Sequence, residues 1–377
     1  YVFTRKPIYL QMAKYRTKIF ALTFALGVAT GIVMEFEFGT NWASYSRYVG
    51  DVFGSALAAE GIFAFFLESG FLALLLFGWN RIGIKLHYFY TIMVALGAHF
   101  SAIWIIVANS WMQTPTGFKV VGEGMTARAE ITDFWAMVFN PSSMDRLMHS
   151  VIGAWLAGAF LVISVSSYYL LKGKFNEFAT KSLRIALVVA TLALCFQIIS
   201  GDRSAKIVAK HQPAKLAAME GIFVTQRQAP LDILGYVDKE KKVSVGIPGL
   251  LSYLSFGDFD AEIQGLDKVP RKDWPNVAVV YQTYHLMIMM WGMMAITAML
   301  AWIYRKKLEE KKALLYLMIG AVLFPQIANQ AGWVTAEMGR YPWIVQDLLR
   351  ISDGLSKSVT ANQVLSSIIM FGVIYFL

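Results

Sequence analysis

Two glutamates stand inside an apolar stretch that is long enough to cross a lipid bilayer. Glu60 and Glu68 both lie within residues 57–79. A charged side chain in hydrocarbon costs roughly 2.5–3.5 kcal/mol on insertion scales, so each carboxylate needs a proton, a counter-charge or a metal as its partner. The stretch therefore predicts a site that handles protons or a buried cation. A purely structural pairing of the two carboxylates is the alternative.

The composition indicates a membrane protein. The 377 residues are 57% hydrophobic and 16% charged, whereas a soluble domain carries about 25% charged residues. The single cysteine, Cys195, excludes an internal disulfide, and the lack of a CxxCH motif excludes covalent c-type heme attachment. The net charge of +9 is read as basic loops on the cytoplasmic side of a membrane, and no nucleic-acid partner is expected.

Eight stretches are long and apolar enough to span a bilayer, which takes about 20 residues of helix. The sequence therefore predicts an all-α, polytopic bundle of transmembrane helices. The predicted spans are 18–36, 57–79, 87–110, 147–171, 185–200, 277–303, 313–335 and 361–377.

Basic residues concentrate in the segments that fall on one side of this topology, and by the positive-inside rule that side is cytoplasmic. These residues are Arg5, Lys6, Lys14, Arg16, Lys18, Arg81, Lys85, Lys172, Lys174, Lys181, Arg184, Arg305, Lys306, Lys307, Lys311 and Lys312. The opposite short loops hold Arg47, Lys119, Arg128, Arg146, Arg340, Arg350 and Lys357. The long loop 201–276 is then outside, and it is polar enough to form its own small module.

This orientation places several candidate ligands in the outer half of the membrane. Glu60 lies near the outer end of its span, and Glu68 lies eight residues, or about 12 Å, deeper and about 80° around the helix. His149 is near the outer start of the fourth span. Met287 is about three turns into the sixth span, and Glu337 follows the seventh at its outer end.

Each of the last three residues also has a structural alternative. A lone intramembrane histidine such as His149 is often a hydrogen-bonded core residue. Met287 belongs to a methionine-rich helix, where packing is the usual role. Glu337 would serve as a helix cap near Arg340.

Five motifs, in the same order along nearly the whole chain, resemble subunit I of the cytochrome bd quinol oxidases. They are Thr23-Phe-Ala-Leu-Gly-Val-Ala-Thr-Gly31, Met34-Glu-Phe-Glu-Phe-Gly-Thr-Asn-Trp42, Glu60-Gly-Ile-Phe-Ala-Phe-Phe-Leu-Glu68-Ser69, Trp104-Ile-Ile-Val-Ala-Asn-Ser-Trp-Met-Gln113 and Gly339-Arg-Tyr-Pro-Trp343.

The resemblance implies heme ligands at named positions. His149 and Met287 match the axial pair of a low-spin heme b. Glu60 and Glu337 match the carboxylates that serve two high-spin hemes, a heme b and a heme d (or a further heme b), where oxygen is reduced. Trp333 resembles a tryptophan that lies between hemes.

The resemblance also implies roles in proton and quinol handling. Glu68 and Ser101 resemble members of a proton path from the cytoplasmic side. Lys215 and Glu220 match a pair of quinol-contacting residues in the outer loop. Arg340 is expected to donate charge-assisted hydrogen bonds to a heme propionate.

The function expected from this resemblance is a quinol:oxygen oxidoreductase, electrogenic without pumping, in a bacterial or archaeal cytoplasmic membrane. Residues 1–200 would carry the high-spin carboxylate and the low-spin histidine, 201–276 the outer quinol loop, and 277–377 the low-spin methionine and the GRYPW segment. The partners would be a second subunit in a heterodimer, a small single-helix subunit, membrane lipid, quinol and O2. The alternative function is a proton- or cation-coupled transporter that uses Glu60 and Glu68.

Three departures from the family pattern qualify this expectation. The family begins with a further helix that carries a high-spin heme histidine, so we expect a ninth span in the full-length protein and a truncation here. His285 stands two residues before Met287, where many members have arginine, and the two side chains point about 200° apart on a helix. The loop 201–276 is short, as in the short-loop subgroup.

Overall fold

The structure, a computed structural model, describes residues 1–376 and is mostly helical. Within these residues, seven helical segments are long and apolar enough to cross a membrane, and Ala361–Tyr375 is a shorter apolar helix. The prediction of an all-α transmembrane bundle is confirmed. The last predicted span, 361–377, corresponds to a helix of 16 residues, Ala361–Phe376. Residue 377 of the predicted span lies outside the described part.

The fifth predicted span is much longer than the apolar run alone indicates. Residues 185–200 form only the middle of a 36-residue helix, Asn176–His211. The ends of this helix are charged, so hydropathy does not mark them, yet lysine, arginine and glutamate are good helix formers. The helix continues into the predicted outer loop.

The chain forms two compact units. The first contains Tyr1–Asn140 and the chain from Trp343 onward. Its elements are α1 (Pro7–Thr40), α2 (Ala43–Tyr48), α3 (Gly50–Glu60), a π-helical turn (Gly61–Phe65), α4 (Phe66–Phe77), α5 (Ile84–Gln113), β1 (Phe118–Val121), a 3-10 turn (Gly124–Thr126), β2 (Arg128–Ile131), α6 (Phe134–Val138), β7 (Trp343–Val345), β8 (Leu349–Arg350), α14 (Ile351–Gly354) and α15 (Ala361–Phe376).

One close helix contact in this unit positions Glu68. A Cβ atom added to Gly97 of α5 would lie 2.8 Å from both the Cβ and the backbone nitrogen of Glu68. Only glycine allows the backbones of α4 and α5 to approach so closely. The contact turns Glu68, which is 8% exposed, towards α5.

The second unit contains Pro141–Pro342. Its elements are α7 (Ser143–Leu171), α8 (Asn176–His211), α9 (Pro213–Glu220), β3 (Gln226–Arg227), β4 (Leu231–Asp238), β5 (Lys241–Ile247), α10 (Leu250–Phe256), β6 (Glu262–Ile263), 3-10 turns at Leu266–Lys268, Arg271–Asp273 and Leu308–Glu310, α11 (Val277–Ile303), α12 (Lys312–Gly320) and α13 (Leu323–Met338).

Two cores hold this second unit together. The larger lies among α7, α8, α11 and α12, with Phe160, Ile163 and Leu315 fully buried. The other joins α9 and the antiparallel hairpin β4–β5 to the first turns of α11, around Val280 and Tyr281. Helix α13 packs against both α7 and α11. The bundle and the loop module 201–276 are thus joined through α9 and α11.

Candidate functional site

In the first unit, both intramembrane glutamates face α5. The hydroxyl of Ser101 donates a hydrogen bond to Oε1 of Glu60 at 2.9 Å. Glu68 packs against Gly97, one helical turn from Ser101. The structure therefore pairs Ser101 with Glu60, whereas the resemblance groups Ser101 with Glu68, and the two carboxylates line one strip of α5.

The alignment of the two glutamates depends on the π-helical turn Gly61–Phe65 between them. A π-helical turn accommodates one extra residue, so the eight-residue separation behaves as about seven residues of α-helix, and the side chains differ by about 20° of rotation instead of about 80°. The sequence did not indicate this turn. It places Glu60 and Glu68 almost one above the other.

In the second unit, His149 is held by residues of α8. Its Nδ1 lies 3.0 Å from Oγ of Ser200, and this hydroxyl donates to the backbone oxygen of Gln197 at 3.1 Å. The imidazole is therefore anchored from the α8 side through Nδ1. The amide nitrogen of Gln197 lies 3.1 and 3.2 Å from the two ring nitrogens. Two side chains of α8, Ser200 and Gln197, therefore hold the imidazole ring in place.

Met287 of α11 meets α13 at a glycine. A Cβ atom on Gly332 would lie 2.9 Å from Sδ of Met287, so glycine is the residue that leaves room for the thioether. One turn away on α13, the amide of Asn329 donates to the backbone oxygen of Gly153 of α7 at 3.3 Å.

The contacts with α13 bring His149 and Met287 to the same level of the bundle. Arg146, one turn from His149 on α7, lies 5.8 Å over the ring of Trp333. His149 therefore lies between two α7 positions that meet α13 at residues 329 and 333, and Met287 meets α13 at residue 332. The two candidate ligands flank the same short stretch of α13.

A charged cluster lies at the C-terminal end of α13. Arg340 is buried and forms an ion pair with Glu337. The side chain of Lys215 packs against Gly339, and its Nζ donates to Oε1 of Gln212 at 2.9 Å. Burial lowers the pKa of Lys215 well below its usual value, and the positive charges of Arg146 and Arg340 lower it further while Glu337 opposes them.

This environment fits the heme that the resemblance implies. When all are ionised, three cations (Arg146, Lys215 and Arg340) surround one carboxylate, Glu337, an excess of two positive charges. Burial is the main cause of the lowered pKa of Lys215, and the neighbouring positive charges lower it further. Imidazole and thioether are an established axial pair for heme iron, and two heme propionates would neutralise the excess charge. Among residues 1–376 no group of three His, Cys, Asp or Glu side chains forms a metal site of the clustered kind.

The structure separates Lys215 and Glu220, which the sequence analysis treated as a pair. Both lie on α9, but five residues turn a helix by about 140°. Lys215 joins the Glu337 cluster, whereas Glu220 contacts Tyr284 and lies near Asp232 and Lys242. Burial, with the nearby Asp232 charge second, raises the pKa of Glu220 to about 8.

Sequence reasoning missed several residues at these sites. Arg146 precedes His149 by three residues, so helical spacing alone would have placed it on the same face. Ser200 and Gln197 had no such signal, because they come from another helix. His285 has a structural place of its own: its Nδ1 bonds the backbone oxygen of Tyr281 at 2.9 Å, and the two rings stack at 4.0 Å.

Comparison with known proteins gives one consistent result. The family model described as "Cytochrome bd terminal oxidase subunit I" matches residues 1–377. The "Cytochrome bd ubiquinol oxidase subunit 1" of Bacillus subtilis (strain 168) is 38% identical over 391 residues, which cover all of this chain and 82% of the relative. The "Cytochrome bd-II ubiquinol oxidase subunit 1" of Escherichia coli (strain K12) is 34% identical over 446 residues, covering 100% and 86%.

A solved structure agrees with these sequence relatives. The bd oxidase from Geobacillus thermodenitrificans superposes with a TM-score of 0.91 at 28% sequence identity. The match covers 100% of this chain and 86% of that one.

Proposed function

This chain belongs to the cytochrome bd terminal oxidase subunit I family, and we propose on that premise that it transfers electrons from a quinol to O2 as subunit I of a membrane oxidase. The family supports a quinol oxidase, a multi-pass membrane location and a second subunit as partner. The relatives named above are all oxidase subunits, which favours this function over the cation-coupled transporter that the two glutamates also suggested. The observation that carries the proposal in this chain is the common level of His149 and Met287 beside α13.

We propose that His149 and Met287 hold a low-spin heme b. Ser200 orients the imidazole, and Gly332 leaves room for the thioether. A thioether ligand favours the reduced state of the iron. Arg340 and Lys215, at the end of α13, would donate hydrogen bonds to the propionates and balance their charge.

The high-spin hemes, a heme b and a heme d or further heme b, would be served by Glu60 and Glu337. When bound, the hemes supply one-electron transfer and the four-electron reduction of O2 to water. Trp333, over which the Arg146 guanidinium lies, would stand between hemes. Glu60 would accept the hydrogen bond of Ser101 in this role, as it does in the structure.

Protons would reach the oxygen site through Glu68. It is buried against α5 on the same strip as Glu60, and the π-helical turn aligns the two carboxylates along the helix axis. The cytoplasmic origin of these protons rests on the positive-inside assignment. Quinol protons released outside and substrate protons taken from inside make turnover electrogenic without a pump.

Quinol would be oxidised in the module 201–276, on the outer side, with Lys215 and Glu220 as its contacts. A carboxylate with its pKa raised to about 8 is suited to accept a proton from a quinol hydroxyl near neutral pH. Lys215, on the other side of α9, lies in the cluster next to the proposed low-spin heme. The short helix would thus connect proton acceptance with the electron acceptor. We also propose that a small single-helix subunit is a further partner and that the oxidase lies in a bacterial or archaeal cytoplasmic membrane.

The experiment is to purify the full-length complex with its second subunit, record its reduced-minus-oxidised visible spectrum and measure quinol-dependent O2 consumption. The proposal predicts heme bands with a low-spin component and O2 uptake that depends on added quinol. A purified, folded complex with no heme bands, or one that carries heme but consumes no O2 with quinol, would overturn it.

A further inference from the structure

A second buried carboxylate, Asp232 of β4, lies next to Glu220 and has no part in the function proposed above. Its side chain is 1% exposed. Oδ2 accepts a hydrogen bond from the hydroxyl of Tyr281 at 2.9 Å and lies 3.1 Å from Nζ of Lys242. The other oxygen, Oδ1, is buried and has no hydrogen-bond partner among residues 1–376. Oδ2 is therefore held by hydrogen bonding, and Oδ1 is free to accept a proton.

Glu220 is arranged in the same way. It is 1% exposed, the hydroxyl of Tyr284 bonds to its carboxylate, and Oε2 is buried without a hydrogen-bond partner within the described chain. Nζ of Lys242 donates to the backbone oxygen of Glu220 at 3.1 Å, so one lysine contacts both acidic residues. Two unpartnered carboxylate oxygens in one buried cluster are unusual, because buried polar atoms are normally satisfied.

The charges of this cluster do not balance when both acids are ionised. Two carboxylates face one lysine, which leaves a buried excess negative charge, and a proton shared by the pair removes it. The influence of Asp232 on Glu220 is the second cause, after burial, of the pKa of about 8. His285 also faces this cluster, since its ring stacks on Tyr281.

Two glycines maintain the geometry. A Cβ atom on Gly235 of β4 would lie 1.9 Å from the Tyr281 hydroxyl oxygen, and one on Gly221 would lie 2.9 Å from Cδ of Lys242. Gly221 also has a φ of +62°, which other residues rarely adopt. These glycines leave room for Asp232 and Lys242 of the hairpin β4–β5 to approach Tyr281 of α11.

We propose that Asp232 is a second proton-accepting residue of the quinol site, and that Glu220, Asp232 and Lys242 act as one unit that carries the quinol proton away. This inference rests on the quinol oxidation proposed above. The step begins with the pair free of its shared proton: an O–H bond of the quinol breaks, an O–H bond forms on Glu220, and one electron passes to the oxidase. The proton then passes to Asp232, which restores the Glu220 carboxylate. After the pair has released this proton, the second proton and the second electron of the quinol follow in the same way, which leaves the quinone. Lys242, whose side chain is 19% exposed, marks the side on which the unit reaches the surface.

The test is the pH profile of quinol oxidation by the whole complex, with the wild type, Asp232→Asn and the control Asp238→Asn compared. Asp238 is an exposed carboxylate at the end of the same strand. For Asp232→Asn we expect kcat to fall roughly tenfold or more, with KM for the quinol changed by less than about twofold. The acid limb of the profile should move to lower pH, because the charge that raises the pKa of Glu220 is gone. Asp238→Asn should match the wild type.

A second variant separates proton transfer from structural support. Tyr281→Phe keeps the Asp232 carboxylate but removes its hydroxyl donor, so the pair holds its proton more tightly and the acid limb should move to higher pH. A purely electrostatic effect of Asp232 on Glu220 predicts the same displacements with kcat at the pH optimum unchanged, so the proton role also requires a fall in kcat. If Asp232→Asn does not assemble with its pigments, Tyr281→Phe decides the question: its kcat should fall because the proton leaves the pair more slowly, and an unchanged kcat would overturn the proton role.

The outcomes that overturn the inference are distinct from failure of the proposed function. An active wild type whose Asp232→Asn variant keeps both kcat and the pH profile removes Asp232 from the proton path and leaves the oxidase assignment intact. A rise in KM alone would assign Asp232 to quinol binding and would equally overturn the proton role. A wild-type complex without quinol oxidase activity would overturn both proposals.

Discussion

Gly332 offers a sensitive test of Met287 as a heme ligand. A Cβ atom at this position would lie 2.9 Å from Sδ of Met287, whereas non-bonded atoms prefer about 3.5–4.0 Å. In Gly332→Ala the sulfur or its helix must therefore move by about 0.6–1.1 Å. Such overpacking costs about 1–3 kcal/mol.

Part of this cost should appear in the redox potential of the low-spin heme. The thioether favours the reduced iron, so displacing it lowers the midpoint potential. A tenfold change in equilibrium corresponds to about 1.4 kcal/mol, and for one electron to about 59 mV. If the full strain acts on the ligand bond, the midpoint potential falls by roughly 40–130 mV.

The assay is a redox titration of the low-spin band in the purified complex. The matched control is Gly292→Ala, in the same helix as Met287, where an added Cβ meets nothing within 4 Å. The control should keep the wild-type potential. A Gly332→Ala complex that retains its heme content and shows an unchanged potential and band would refute Met287 as the ligand at this position.

Three further predictions concern other parts of the molecule. Ser200→Ala removes the hydroxyl that lies 3.0 Å from Nδ1 of His149, so the low-spin heme should show a shifted potential and a broadened signal in electron paramagnetic resonance, and Ser200→Thr should restore both. Gly97→Ala places a Cβ 2.8 Å from backbone and side-chain atoms of Glu68. The overpacking should lower the free energy of unfolding by about 1–3 kcal/mol. Glu220 can accept a proton only when ionised, and because its pKa is raised to about 8, quinol oxidation should rise with pH up to about that value.

The glycine and serine predictions have matched variants, and each of the three has a contradicting result. Gly70→Ala, at a site with nothing within 4 Å, should leave stability unchanged, and equal melting temperatures for the Gly97 and Gly70 variants would contradict the close contact. An unaltered low-spin signal in Ser200→Ala would remove the serine from ligand orientation. A rate that is flat between pH 6 and 9 would contradict the role of Glu220 as base; the two limits are chosen to bracket the pKa of about 8.

The transmembrane architecture was predictable because hydropathy and span length follow directly from the bilayer. What hydropathy could not give were the helix ends beyond the membrane. Helix α8 continues to His211 through charged residues that a hydropathy window rejects. The π-helical turn after Glu60 was also invisible, since its residues are ordinary apolar helix formers with one glycine.

The candidate site was predictable to the extent that it lies within single helices. The depth of His149 and Met287 followed from span boundaries, and the divergence of Lys215 and Glu220 follows from a five-residue helical spacing. The partners that distant segments supply could not be predicted from the sequence. Asp232 and Lys242 come from a hairpin, and nothing local in the sequence indicates that they meet Glu220.

The central claim is that His149 and Met287 hold one low-spin heme. The most direct test is the reduced-minus-oxidised spectrum of the complex carrying His149→Ala or Met287→Ala, with Met289→Ala, an exposed position in the same helix, as control. The account predicts that each ligand variant loses the low-spin signal while the control and the high-spin signals remain. A low-spin spectrum unchanged in either His149→Ala or Met287→Ala would contradict it.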